Sequence, residues 1–288
     1  MYFFVERWTV MRRERGLQSV QQTDDARPLV VACALSLVQN ARLADALRGR
    51  GTLVSVASPD ELVHRLRATV EPVDVVVVSA HASPGIDTAR TVRTMVAERP
   101  HSAIVAYCQP GTRFSSDIRA LASAGVHEFV FFGMDDTALA FRAVLDSARR
   151  QCAAEWVSHH LAAVIPAPLQ PMMEAILTQP GDVVNLDVLA NVLGVHRSTL
   201  FNRCERAGFL PPAELLAWTR LALVAYLLGT TGCTVETIAV ELAYPSDTAL
   251  RNGIKRYTGK RATDIRKQGG VECVVSALRA RLACRLVE

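Results

Sequence analysis

Glycine-rich phosphate loops, paired zinc-ligand cysteines and a strong charge of one sign are all missing from this 288-residue chain. No G-x-G-x-x-G, Walker loop or nucleophile elbow follows any strand-like run, so dinucleotide, P-loop and serine-hydrolase chemistries have no basis here. The seven cysteines, Cys33, Cys108, Cys152, Cys204, Cys233, Cys273 and Cys284, are scattered and form no C-x-x-C. That spacing excludes a zinc ligand set and a disulfide framework, and suits small apolar residues in a reducing cytoplasm. His159 and His160 are adjacent, and neighbours on a helix do not face one site, so no metal is expected there. No cofactor is expected either. No apolar run reaches the length of a membrane span, and the opening MYFFVERWTVMRRERG lacks a signal peptide's apolar core. A cytoplasmic protein with no membrane partner follows as the expectation. A net charge of only +4 excludes a general polycationic nucleic-acid coat.

What is present is apolar material for two cores: half of the residues are hydrophobic, and the length suits two domains. Residues 1–27 have mixed charge and weak periodicity and are expected to be a flexible leader. From Pro28 the chain alternates strand and helix. The strands are Leu29–Ala34, Leu53–Ala57, Val73–Val78, Ser102–Tyr107 and Glu128–Phe132; helices span 40–50, 59–69 (N-cap Ser58), 89–98, 115–123 and 136–150. The nearly unbroken apolar run 73–78 marks a parallel strand covered on both faces. Five such βα units build a doubly wound parallel sheet over residues 28–152. Residues 153–165 are a linker or helix extension, 166–268 an all-α domain, and 269–288 a helical tail with Val274, Val275, Leu278, Leu282 and Leu286 apolar.

The α/β region resembles the receiver domain of two-component response regulators. DVVVVS at 74–79 parallels the receiver's third strand and AGVHEFV at 124–130 the approach to its fifth. An active receiver needs an acidic pair for Mg²⁺, a phosphoacceptor aspartate and a lysine against the phosphoryl charge. Here the first strand runs into Ala34-Leu35-Ser36, the phosphoacceptor position is Ser79, the lysine position is Phe132, and Tyr107 or Cys108 ends the fourth strand. An aspartyl-phosphate switch is therefore expected to be absent.

The organising stretch of the second half is TVETIAVELAYPSDTALRNGIKRYTGKRATDIR, Thr234 to Arg266. Val235, Ile238, Ala239 and Leu242 give one apolar helical face, Pro245 breaks it, and Ser246 is set to cap a second helix. That helix carries Leu250, Ile254 and Tyr257 inward. A second copy lies upstream, with Leu186, Leu189, Ala190, Leu193, a turn at Gly194 and an anchor at Leu200, and one long apolar helix joins the two. This arrangement resembles the DNA-binding domain of AraC-type transcription regulators, with Ile238-Ala239, Thr248, Leu250, Ile254-Lys255, Gly259, Arg266 and Arg220-Leu221 in register. It departs from the family at Ala243 for the turn glycine, Ala262 for a proline, His196 for a serine cap, and Asn202 and Asn252 for arginines.

The resemblance implies a regulator that is not an enzyme and binds double-stranded promoter DNA through two recognition helices, about 196–206 and 247–257. Candidate base contacts are Arg197, Ser198, Phe201, Asn202, Asp247, Thr248, Arg251 and Asn252; candidate phosphate contacts are Lys255, Arg256, Lys260 and Arg261. A contact with RNA polymerase is implied as well. A homodimer through the last strand and helices of the α/β domain is expected on Val130, Phe131, Phe132, Ala140, Phe141, Val144 and Leu145. Two other readings stay open at this point: an enzyme or small-molecule-binding protein using the α/β domain, and a protein-interaction scaffold that binds no DNA.

Overall fold

The computed structural model describes residues 28–69, 72–80, 87–109 and 114–285; the expected leader, residues 1–27, lies outside them. The first half alternates β1 (Leu29–Cys33), α1 (Leu37–Leu47), β2 (Thr52–Val56), α2 (Pro59–Ala68), β3 (Val75–Ser79), α3 (Thr88–Glu98), β4 (Ala103–Cys108), α4 (Phe114–Ala124) and β5 (Glu128–Phe131). All four strand pairings are parallel, in the order β2-β1-β3-β4-β5. This is the doubly wound order of receiver folds. β3 and β4 are buried at every position, as their β-branched and small side chains suit a strand with helices on both faces. Asp74 stands before β3 and not within it: its carboxylate accepts from the Leu29 N–H at 2.9 Å and meets Arg149 at 3.6 Å. Burial raises its pKa, against the opposing pull of Arg149.

α5 runs unbroken from Ala138 to Ala162, well past the expected end near 150. No glycine or proline interrupts it before Pro166. Its first half places Phe141, Leu145, Ala148 and Cys152 against the sheet. Its second half places Ala153, Val157 and Leu161 in the helical core. One rigid helix therefore serves two cores. Beside the join, the Tyr226 hydroxyl donates to the His101 carbonyl at 3.2 Å, and the rings of His101 and Trp156 lie 4.1 Å apart. Of the residues expected to pair two copies, Val130, Phe141 and Leu145 are buried, while Phe131, Phe132, Ala140 and Val144 are half-buried. The exposed apolar groups of this region are instead Met134 and Leu139, 76% and 79% exposed.

After a 3₁₀ turn at Ala167–Leu169 come α6 (Gln170–Thr178), α7 (Leu186–Val192), α8 (Arg197–Arg206), α9 (Pro212–Thr230), α10 (Val235–Glu241), α11 (Asp247–Thr258), α12 (Ala262–Lys267) and α13 (Val271–Arg285). α9 corrects one expectation, because it is long and apolar enough to cross a membrane. It sits at the centre of the helical core, where neighbours cover its apolar side chains from Leu215 to Leu228. The tail helix α13 closes the same core through Val271, Val274, Val275 and Leu278. Cys152 and Cys204 are buried, which pushes their thiols up to about 11.

Candidate nucleic-acid interface

Two short helix pairs flank α9. In the first, α7 ends as Leu193 N–H donates to Leu189 C=O at 3.1 Å and Val195 N–H to Ala190 C=O at 3.0 Å. In the second, α10 ends as Leu242 N–H donates to Ile238 C=O at 3.0 Å and Tyr244 N–H to Ala239 C=O at 2.8 Å. The turns share their backbone: Gly194 has φ 63° and Ala243 φ 52°. Alanine in this left-handed region costs about 1 kcal/mol, so the second turn holds by its packing what glycine adopts freely in the first. Each following helix is capped. Ser246 Oγ accepts from Ala249 N–H at 3.0 Å, as expected from the sequence. His196, at the position where serine is usual, caps α8 with its ring nitrogen, Nδ1 accepting from Ser198 N–H at 3.4 Å. Leu200 and Leu250 anchor the two helices in the core.

Arg220, in the middle of α9, joins the pairs. It is buried, and its guanidinium donates to the carbonyls of Pro180, Val183 (3.2 Å) and Leu242 while lying 4.8 Å over the Tyr244 ring. Pro180 and Val183 precede α7, and Leu242 ends α10, so one side chain binds both halves. The halves touch directly too: a Cβ added at Gly181 would stand 3.3 Å from the Glu241 carbonyl oxygen. Sequence reading noted Arg220 only by its register. An arginine in an otherwise apolar helix was the available signal.

The candidate contacts divide by position. On α8, Arg197 Nη1 donates to both oxygens of Asp187, at 3.1 and 3.4 Å, and Ser198 Oγ lies 2.8 Å from His196 Nδ1. Phe201 is 44% exposed, unusual for a large apolar side chain, and Asn202 beside it is exposed. On α11, Asp247 accepts from Arg251 Nε at 3.3 Å and from Thr248 Oγ1 at 3.3 Å, and Asn252 is exposed. The hydrogen bond from Arg251 holds the Asp247 carboxyl below the usual range. Lys255, Arg256 and Arg261 are exposed; Lys260 is half-buried, donating to Gln268 Oε1 at 2.8 Å. Asp187, missed in the sequence, belongs to α7 and reaches α8 only across the turn.

At the other end of the molecule, the strand ends hold different chemistry from a phosphorylation kit. Ser79 ends β3, and Phe132 follows β5 with the Arg42 guanidinium 4.7 Å over its ring. Tyr107 donates to Asp136 at 2.5 Å, and Asp136 pairs with Arg42. Burial works against the charge on Asp136, yet hydrogen bonds from Tyr107, Gly133 and Arg42 keep its pKa below the ordinary carboxylate value. Burial and this hydrogen bond push Tyr107 up. A shallow cavity of about 450 Å³ beside it is lined by Val38, Ala41, Arg42, Asp45, Asp136, Thr137 and Ala138, with no histidine, cysteine or serine.

Residues 189–268 match the sequence model of a family described as a helix-turn-helix domain. No curated protein matches the chain. Among solved structures, full-length FixJ from B. japonicum is 15% identical over 68% of this chain and 98% of its own, with a TM-score of 0.38. The signal receiver domain of an HD domain-containing protein from Pseudomonas fluorescens Pf-5 is 19% identical over 48% of this chain and 97% of its own, TM-score 0.40. An adenylate cyclase from Rhodopirellula baltica is 13% identical over 48% of this chain and 99% of its own, TM-score 0.40. Likenesses this loose add nothing to the topology already described.

The Arg220 bridge can be tested directly. Arg220→Met keeps the stem but leaves three buried carbonyls without their donor. At about 1–3 kcal/mol for each such group, the loss of unfolding free energy should be several kcal/mol. Chemical denaturation measures it, and a change under about 1 kcal/mol would mean that the carbonyls find other partners.

Proposed function

We propose that this chain, an AraC-type helix-turn-helix domain behind a receiver-like domain, regulates transcription by inserting α8 and α11 into successive major-groove segments. One observation carries the reading: two helix pairs with the same turn hydrogen bonds are locked by Arg220 to a single rigid helix. Two recognition helices held at fixed separation suit two groove segments on one side of the duplex, roughly 34 Å apart.

In this reading Arg197, Ser198, Phe201, Asn202, Asp247, Thr248, Arg251 and Asn252 face the bases, the exposed Phe201 ring suiting a thymine methyl group. Lys255, Arg256, Lys260 and Arg261 face phosphates, supplying affinity without sequence information. The partner is double-stranded promoter DNA, in the cytoplasm, with RNA polymerase contact and pairing of two copies as further parts of the proposal.

The receiver-like domain works without phosphorylation in this account, because Ser79 and Phe132 stand at the phosphoacceptor and lysine positions, where a carboxylate and an amine would be needed. Small phosphodonors with Mg²⁺ are therefore expected neither to label the protein nor to change its DNA affinity. Acid-labile phosphate on residues 28–152 would contradict this.

The DNA reading is tested by binding-site selection on random duplexes. Asparagine matches adenine N6 and N7, so each half-element should carry an adenine facing Asn202 or Asn252. Asn252→Ala should cost about 1–3 kcal/mol on the preferred site and relax the preference at that base. Lys255→Ala should weaken all sequences alike and lower the salt slope by about one unit. An Asn252→Ala profile identical to wild type, with affinity lost evenly, removes asparagine readout from the mechanism.

A further inference from the structure

We infer that Asp187 and Asp247 are positioning residues for base readout, each holding one edge of a recognition-helix guanidinium so that its other edge meets a guanine. This rests on the DNA reading above and goes beyond it in naming the base and the residues that orient the reader.

The two pairs arise from unrelated local geometry. Asp247 and Arg251 lie one turn apart on the same helix, and Nε donates to Oδ2 at 3.3 Å. Asp187 lies on α7, ten positions before Arg197 on α8, and both its oxygens accept from Nη1, at 3.1 and 3.4 Å. A guanidinium has five N–H donors in a fixed plane. With Nε engaged, Arg251 keeps its two terminal nitrogens as a forward-facing fork. With Nη1 engaged, Arg197 keeps the fork made by Nε and Nη2. Each free fork matches guanine O6 and N7, which accept two parallel hydrogen bonds.

The usual explanation for such pairs is a surface ion pair beside a helix N-terminus. An exposed pair adds little stability, and so does an acidic residue in the first turn. Both aspartates do sit in first turns. That accounts for their presence, but not for each reaching an arginine on a recognition helix. A carboxylate on a DNA-facing surface also repels phosphate, so it lowers general affinity unless it orients something. The charge layout agrees: the pairs at the start of α8 and α11 are neutral, whereas the exposed Lys255 and Arg256 form no salt bridge among the described residues. Both arginine and aspartate side chains are partly exposed, 52% and 68% in one pair and 54% and 40% in the other, so a base edge can reach the free fork.

The test is binding-site selection and salt titration with full-length wild type, Asp247→Asn, Asp187→Asn and Arg251→Lys. Asp247→Asn is expected to lower the preference for guanine at one position roughly tenfold, leaving the other half-element unchanged. Asp187→Asn should do the same at the position facing Arg197. Both should bind nonspecific duplex more tightly than wild type, because a negative charge has left the DNA face. Arg251→Lys keeps the charge but loses the fork, so it should lose the same guanine preference. Adding Asp247→Asn to it should then cost nothing further at that base. A sequence-specific wild type whose guanine preference survives in both aspartate variants overturns this inference alone. A wild type with no sequence preference overturns the regulator reading and this inference together.

Discussion

The helical half of the molecule depends on one buried guanidinium. Arg220 lies within an otherwise apolar helix and spends its donors on the carbonyls of Pro180, Val183 and Leu242. Helix ends leave backbone carbonyls without partners, and burying them unpaired is costly. The loop before α7 supplies Pro180 and Val183 and the end of α10 supplies Leu242, three carbonyls brought to one buried place. Arginine alone among the side chains has enough coplanar donors to serve them all. The same bond set ties the segment before α7 to the end of α10.

A second constraint is the length of α5. Because Phe141 and Leu145 belong to the sheet's core and Val157 and Leu161 to the helical core, the two halves share a rigid rod. The hydrogen bond from Tyr226 to the His101 carbonyl and the tilted ring contact of His101 with Trp156 lie beside the join.

Local pattern made much of this legible. Long β-branched runs between turn residues gave all five strands, with ends within about two residues, the usual uncertainty of such boundaries. The caps at Ser58 and Ser246 followed from their neighbours, and the repeated apolar spacing around Leu189 and Ile238 exposed the two helix pairs. What stayed hidden was set by distance along the chain. Asp136 finds Tyr107 and Arg42 only after the sheet assembles, and Asp187 meets Arg197 only across a turn. The continuity of α5 was readable in the lack of any glycine or proline from Ala138 to Ile165, which left 153–165 open as a linker or a helix extension. Sequence alone did not tell which side of each element the sheet consumes: Val130 and Phe141 are buried, while Phe131 and Phe132 keep part of their surface.

The claim that two helices are held in register for successive groove segments is tested most directly by hydroxyl-radical footprinting of the full-length protein on its selected site. The account predicts two protected windows on one face of the duplex, separated by about one helical turn, or roughly 10–10.5 base pairs. A single window, or protection spread evenly around the duplex, would contradict it.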